Sequence, residues 1–257
     1  VNGALTISAG TLAAAGFQIN LAGDWTNSGT FTPGGNTVVF DGGAQNVNPG
    51  ASSFANLTKT GASTLTLITN PLTVTATLSI GAGSTVDMAA LNFSVTTLSN
   101  DGTLELDGIQ GTQTVSNPDT NSGLTLYNGA TGGTVRTLGF YNLQINQAGQ
   151  NFGLSGAKTL YGSLNVVAGT LAAGAFQLNV AGDWTVAAGA AFDSGTGTVV
   201  FDGGNLQTLT AGGTDANHDF TNLTVNKTAN SVSLAAAIDV NGALTISAGT
   251  LAAAGFQ

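Results

Sequence analysis

The chain has no cysteine, so neither a disulfide framework nor a thiolate metal site can hold it together. Charge is nearly as scarce: only 7% of the residues are charged, against roughly 25% in an ordinary soluble domain. The 4 cations (Lys59, Lys158, Lys227 and Arg136) face 13 acids, for a formal net charge of −9. Such a chain cannot neutralise a run of phosphates, which excludes nucleic acid as a partner and disfavours an anionic membrane surface. No apolar run reaches the length of a membrane span, so membrane insertion is not expected. A signal-peptide pattern is missing too. Because the sequence opens at Val1, inside a repeat, it reads as an interior piece of a longer protein, and export stays open.

What remains is apolar, small and hydrogen-bonding. Hydrophobic residues make up 42% of the chain, and it holds 38 Gly but only 4 Pro. That is enough apolar surface to fold, and the glycines lack the period of three that a collagen helix requires. Thr and Val favour strands, and Gly and Asn favour the turns between them. Phe17-Gln18-Ile19-Asn20-Leu21 alternates apolar and amide residues, as do Phe176-Gln177-Leu178-Asn179-Val180 and Leu104-Glu105-Leu106. Each run is short and bounded by Gly or Asp-Gly, and no segment carries a 3.6-residue apolar stripe over three turns. The pattern predicts an all-β chain.

Repeats decide how the strands are arranged. Residues 1–18, VNGALTISAGTLAAAGFQ, recur without change at 240–257, a period of 239 residues from Val1 to Val240. Inside that period, Leu5–Thr26 returns as Leu164–Thr185 and, more loosely, as Leu78–Asn100, where Leu98 takes the place of Trp25 and Trp184. TVVFDGG stands at Thr37–Gly43 and Thr198–Gly204, with Thr103–Gly108 as the middle counterpart. Each is followed by a glutamine (Gln45, Gln113, Gln207) and then by Phe-x-Asn-Leu, starting at Phe54, Phe140 and Phe220. Three divergent modules result, at about 1–73, 74–159 and 160–239, with 240–257 opening the next period of one continuous segment.

Strands this short, with inner residues recurring in step, favour a parallel β-solenoid over a row of sandwiches built from long hairpin strands. Parallel stacking places counterparts about 4.8 Å apart, so three or four coils per module would advance a period by roughly 45–60 Å. Inner stacks are expected at Phe17, Ile19 and Leu21, with structural positions at Trp25, Phe40, Phe54, Phe140, Trp184, Phe201 and Phe220. Asn20, Asn142 and Asn179 are candidates for amide ladders.

The stretch GTLAAAGFQINLAGDWTNSGTF followed by NTVVFDGG resembles repeats of large secreted bacterial surface proteins, the β-helical passengers of the filamentous-haemagglutinin and autotransporter type. Every module carries a version of it. The resemblance implies a right-handed parallel β-helix, export to the cell surface or beyond, and adhesive or filamentous roles. It brings no catalytic signature.

Candidate sites are few. Polysaccharide-cleaving β-helices need clustered carboxylates, whereas the acids here fall about one per turn. Asp24 and Asp183 precede Trp; Asp41, Asp107 and Asp202 precede Gly; all five read as turn residues bonding local amides. The one polar cluster is Asp215-Ala216-Asn217-His218-Asp219, where Asp215, His218 and Asp219 are the candidate ion ligands, weighed against a solvated loop. No Gly-x-Ser-x-Gly elbow, Gly-Lys-Ser/Thr phosphate loop or repeat-borne Ca²⁺ motif occurs. Thr73-Val74-Thr75-Ala76-Thr77 hints at an ice-binding plane, but Leu160-Tyr161 and Asp239-Val240-Asn241 break the ranks. The expectation is a non-enzymatic extracellular rod or filament without cofactor, its partner another copy of itself joined head to tail, covalently or by stacking. An adhesin stalk touching a cell surface or glycan is the alternative.

Overall fold

The computed structural model describes residues 1–136 and 138–256. Thr137, and Gln257 at the end of the duplicated segment, lie outside the described residues. The chain is all-β without helix, and its parallel strands stack as a β-solenoid of about 12 turns. It forms two compact units, Val1–Leu124 and Thr125–Gln257, whose boundary falls inside the second sequence module.

In the first unit each coil has three sides. Leu5–Ile7, Thr11–Ala13 and Ile19–Leu21 make one coil, and the next lays Trp25–Asn27, Thr30–Thr32 and Thr37–Phe40 over them in parallel. The register runs on in the same way, with Trp25 facing Val47, Gln45 facing Leu65 and Thr64 facing Thr85. The second unit repeats the arrangement: Lys158–Leu160, Leu164–Val166 and Thr170–Ala172 lie beneath Leu178–Val180, Trp184–Val186 and Ala191–Asp193. Period-two alternation follows from the pleat, since successive side chains point to opposite faces and only one face meets the interior. Hence TVVF at Thr37–Phe40 buries Val38 and Phe40 completely.

Matching motifs occupy matching corners. Phe54, Phe140 and Phe220 each form an isolated parallel bridge one coil on, to Val74, Leu160 and Val240. Trp25, Phe31 and Phe54 close an aromatic triad with ring centroids 4.8, 5.2 and 5.7 Å apart, and Trp184, Phe192 and Phe220 repeat it at 4.7, 5.3 and 5.9 Å. Edge-on and tilted ring pairs of this kind add about 0.5–1.5 kcal/mol each beyond the area they bury.

Three expectations fail in detail. Phe17 is not an inner stack residue but is 78% exposed, while Leu21 is fully buried and Ile19 half-buried. The reason is the turn before the strand. Ala15 and Gly16 both take positive φ (49° and 86°), and the Phe17 N–H closes back on the Ala14 carbonyl at 2.9 Å, which leaves the ring outside. Phe176 and Phe256 sit in the same turn and are also exposed. Nor do the asparagines form ladders of their own kind. Asn20 faces Val39, and Asn179 lies between Thr159 and Val200. The Asn of Phe-x-Asn-Leu instead bonds backbone: the Oδ1 atoms of Asn56, Asn142 and Asn222 accept from the N–H of Thr77, Ser163 and Ala243 one coil on. Finally, Asp24 and Asp183 reach the next coil rather than a local amide, each accepting at 2.7 Å, from the N–H of Asn46 and Thr208 respectively.

The Asp-Gly-Gly turns are held by close backbone approach. A Cβ on Gly42 would lie 1.9 Å from the Ala22 carbonyl oxygen, and one on Gly203 would lie 1.9 Å from that of Ala181. The neighbouring Gly43 and Gly204 have open space. Gly42→Ala and Gly203→Ala are therefore expected to cost about 1–3 kcal/mol of stability by overpacking, whereas Gly43→Ala and Gly204→Ala leave it nearly unchanged. Urea unfolding midpoints of the four variants check this; equal effects within each pair would contradict it.

Candidate functional site

The Asp215–Asp219 segment was the sequence's one candidate cluster, and its side chains are directed to different partners. The Asp215 carboxylate accepts from the Asn217 N–H and meets His218 Nδ1, both at 2.9 Å. The Asn217 N–H first, and His218 after it, hold the Asp215 carboxyl below its ordinary value. His218 is 4% exposed, its ring packed under Gly212 and Gly213, and its Nε2 is buried with no partner among the described residues. Asp219 turns elsewhere, with Oδ2 accepting from Asn241 Nδ2 at 2.8 Å. The segment borders a polar groove of about 380 Å³ lined in part by Gln150, Asn151 and Thr170. Among the described residues no three His, Cys, Asp or Glu side chains converge as metal ligands.

One group of acids is closer together than the sequence suggested. Asp87 and Glu105 are register partners on successive coils, in line with Thr66. Asp107 lies near enough that the Asp87 charge, after burial, raises its carboxyl above the ordinary value. One acid per turn, at one position of a parallel coil, becomes a row. Two carboxylates side by side are the raw material of acid–base chemistry on a sugar.

The most elaborate polar construction was missed altogether. Lys59 aligns with Phe40 on one side and Ile80 on the other, so its side chain enters the core and is wholly buried. Its ammonium donates to the carbonyls of Gly42 at 2.9 Å and Gly43 at 3.2 Å and to Gln45 Oε1 at 3.0 Å. The Gln45 amide donates onward to the carbonyls of Leu21 and Gly23, at 2.8 and 2.6 Å. One Gln–Lys pair thus pins three successive coils. The second unit repeats it: Lys227 donates to the carbonyls of Gly203 and Asn205 and to Gln207 Oε1 at 2.6, 2.8 and 2.5 Å. Gln207 Nε2 then donates to Val180 and Gly182. Burial lowers both ammonium groups from their ordinary value, and the charges of Asp41 and Asp202 oppose this. Three acceptors matched to three N–H bonds hold the charged form in place. A sequence signal existed: each lysine stands a few residues after Phe-x-Asn-Leu, downstream of a glutamine that follows Asp-Gly-Gly.

The chain matches no family model, no curated protein and no solved structure.

Replacing Lys59 by Met keeps the apolar stem but takes its donor from the Gly43 carbonyl, while Ser63 Oγ still reaches Gly42 and the Gly42 N–H still reaches Gln45 Oε1. Lys227→Met takes the ammonium from the carbonyls of Gly203 and Asn205 and from Gln207 Oε1. A loss of about 1–3 kcal/mol is expected for each, read as a lower denaturant midpoint. Lys158 supplies a pH test. Burial lowers its pKa to about 8, so above that pH the unfolded chain holds the extra proton and folding gains from its release. Stability should therefore rise from pH 8 towards pH 10, where the raised phenol of buried Tyr127 begins to act in the opposite direction. Lys158→Met should flatten that rise; an unchanged slope would refute the assignment.

Proposed function

We propose that the protein is a structural segment of an extracellular or cell-surface rod, and that its work is mechanical rather than catalytic. The observation that carries this reading is continuity. Successive coils pair in parallel within both units, through backbone ladders that run along the coil axis. Such ladders resist axial load collectively, because each coil is held by several backbone bonds at once. The Trp–Phe–Phe triads and the Gln–Lys pins add interior cross-ties that link coils without disulfides. A self-similar sequence of period 239 from Val1 to Val240 suits a filament extended by further copies, and the resemblance to secreted β-helical surface proteins supports the extracellular placement.

An adhesin stalk is the second reading, and one observation favours it. Phe17, Phe176 and Phe256 stand exposed in the same turn of three copies of one motif, each a ring that could stack on a sugar of a glycan. The two readings are compatible in one molecule. A polysaccharide-cleaving reading would rest on Asp87 and Glu105, and an ice-binding one on Thr64, Thr85 and Thr103, which share one rank but lie beside the carboxylates of Asp87 and Glu105.

Electron microscopy of native cells, with antibody against this chain, is the test. Labelled fibres or a cell-attached fringe are expected, with no turnover of polysaccharide, ester or peptide by the purified protein. Labelling confined to the cytoplasm, or an activity abolished by Asp87→Asn or Asp215→Asn, would overturn the structural assignment.

A further inference from the structure

The duplicated segment is seen twice, and each copy shows a different face in use. In the first copy Leu5–Ile7 and Thr11–Ala13 carry the following coil, with Leu5 facing Trp25 and Thr11 facing Thr30. In the second copy Leu244–Ala252 lies on the preceding coil, with Leu223 facing Leu244, Asn226 facing Ala248 and Ser231 facing Thr250. The backbone is the same in both: Ala15, Gly16 and Gly10 have φ of 49°, 86° and 73°, and Ala254, Gly255 and Gly249 have 51°, 91° and 82°. Their turns close alike, Phe17 N–H on Ala14 and Phe256 N–H on Ala253, both at 2.9 Å.

A third relative carries both neighbours at once. Leu164–Ala172 sits on the preceding coil with Leu143 facing Leu164, Asn146 facing Ala168 and Asn151 facing Thr170, the register of the second copy. It bears the following coil with Leu164 facing Trp184 and Thr170 facing Ala191, as the first copy bears Trp25 and Thr30. The two faces are therefore compatible in one segment. Each is uncovered in one copy: Leu5, Ile7 and Leu12 border an open groove of about 330 Å³, and Leu244 and Ile246 are 49% and 52% exposed.

We infer that the open face of Leu5–Ala13 is the seat of the Asn222–Leu234 coil of another copy of the period, joined in tandem, in the register Leu223 to Leu5, Thr224 to Thr6, Val225 to Ile7 and Val232 to Leu12. Tandem joining is favoured over separate stacked chains because residues 240–256 already hold the seat on Asn222–Leu234 that a separate chain's first coil would need. Within each unit the motif also changes sides from one copy to the next. In the first unit Leu5–Ile7 shares a ladder with Trp25 and Val47, but its relative Leu78–Ile80 shares one with Ile19, Val38 and Leu57, the side the chain visits just before. In the second unit Leu164–Val166 lies with Leu143 and Trp184, whereas Leu244–Ile246 lies with Leu223, Val199 and Leu178, again the side before. Within each unit, then, the later copy of the motif lies one side back on a three-sided coil from the earlier one. This inference rests on the self-extending part of the proposed function, but not on where the protein resides.

The test is a disulfide map of a two-period chain, residues 1–239 followed by 1–257. Outward register partners on neighbouring parallel strands lie within reach of a disulfide. Two variants are made: Thr224→Cys in the first copy with Thr6→Cys in the second, and Thr6→Cys with Thr26→Cys, both in the second. In the 257-residue chain, Thr224→Cys with Thr245→Cys, and Thr6→Cys with Thr26→Cys, serve as folding controls and should close fully. Closure of both pairs in the two-period chain, with loss of nearly all free thiol, is expected. Closure in the controls but not in the two-period chain would overturn the shared coil. Equal mixing of 257-residue chains carrying only Thr224→Cys or only Thr6→Cys should give no interchain disulfide; if it does, separate chains exchange the seat and the tandem assignment is wrong. Neither result bears on whether microscopy finds the protein outside the cell.

Discussion

Parallel, in-register stacking is the constraint on which every other feature depends. The backbone N–H and C=O groups of each strand point along the coil axis, so a coil is satisfied only by the coils on either side. Once that holds, inner residues must line up with inner residues. Leu21, Phe40, Lys59, Ile80 and Asn100 therefore form one inward column. A column tolerates changes of size, because a Phe can share its extra volume with the coils next to it. It does not tolerate a shift of one residue, which would turn the entire apolar set outward. This is why insertions such as 118–123 and 211–219 lie between strands and leave the registers around them intact.

The same constraint explains where the polar groups sit. Where a coil bulges or turns a corner, ladder bonds lapse and backbone groups are left in a dry interior, at a cost of about 1–3 kcal/mol each. The side chains found there are those that can span one coil spacing and carry the right complement of donors. The asparagine of Phe-x-Asn-Leu accepts from the coil after it, and in Asn56 and Asn222 its amide also donates to the coil before. Gln45 and Gln207 donate twice to the preceding coil and accept a lysine from the following one. Buried lysines in so poorly charged a chain are thus not anomalies. The ammonium offers three donors on a long apolar stem, and the stem takes the core position that a Leu or Ile would otherwise fill.

Much of this was legible in the sequence, and what was not failed for identifiable reasons. Alternation in TVVF and the recurrence of Phe-x-Asn-Leu gave the parallel coils, because both signals are local and period two is unambiguous. Phe17 read as an inner residue because it continues the alternation of Ile19 and Leu21. Alternation cannot show that the chain enters the strand only after a left-handed turn at Ala15 and Gly16. The acids looked scattered for the opposite reason. Asp87 and Glu105 are far apart along the chain, and only stacking makes them neighbours. Asp24 and Asp183 looked like local turn residues, although their partners lie a coil away. In a solenoid the informative separation is one coil, and residue spacing read by eye is blind to it.

The mismatch between module and coil has a further consequence for how such a sequence can evolve. A module that held a whole number of coils would place every copy of a motif on one side, where identical columns would demand identical residues. Here the step of one side puts LTISAGT and LSIGAGS, in the first unit, against different neighbours. Leu5 carries Trp25, whereas Leu78 lies between Leu57 and Leu98. Copies on different sides are then fitted to different surroundings, while the overlap of the period, residues 1–18 and 240–257, is unchanged. Divergence inside the period also guards against slippage. Identical coils could pair in any register along the axis, but a coil that fits only at its own step can join its array at one place.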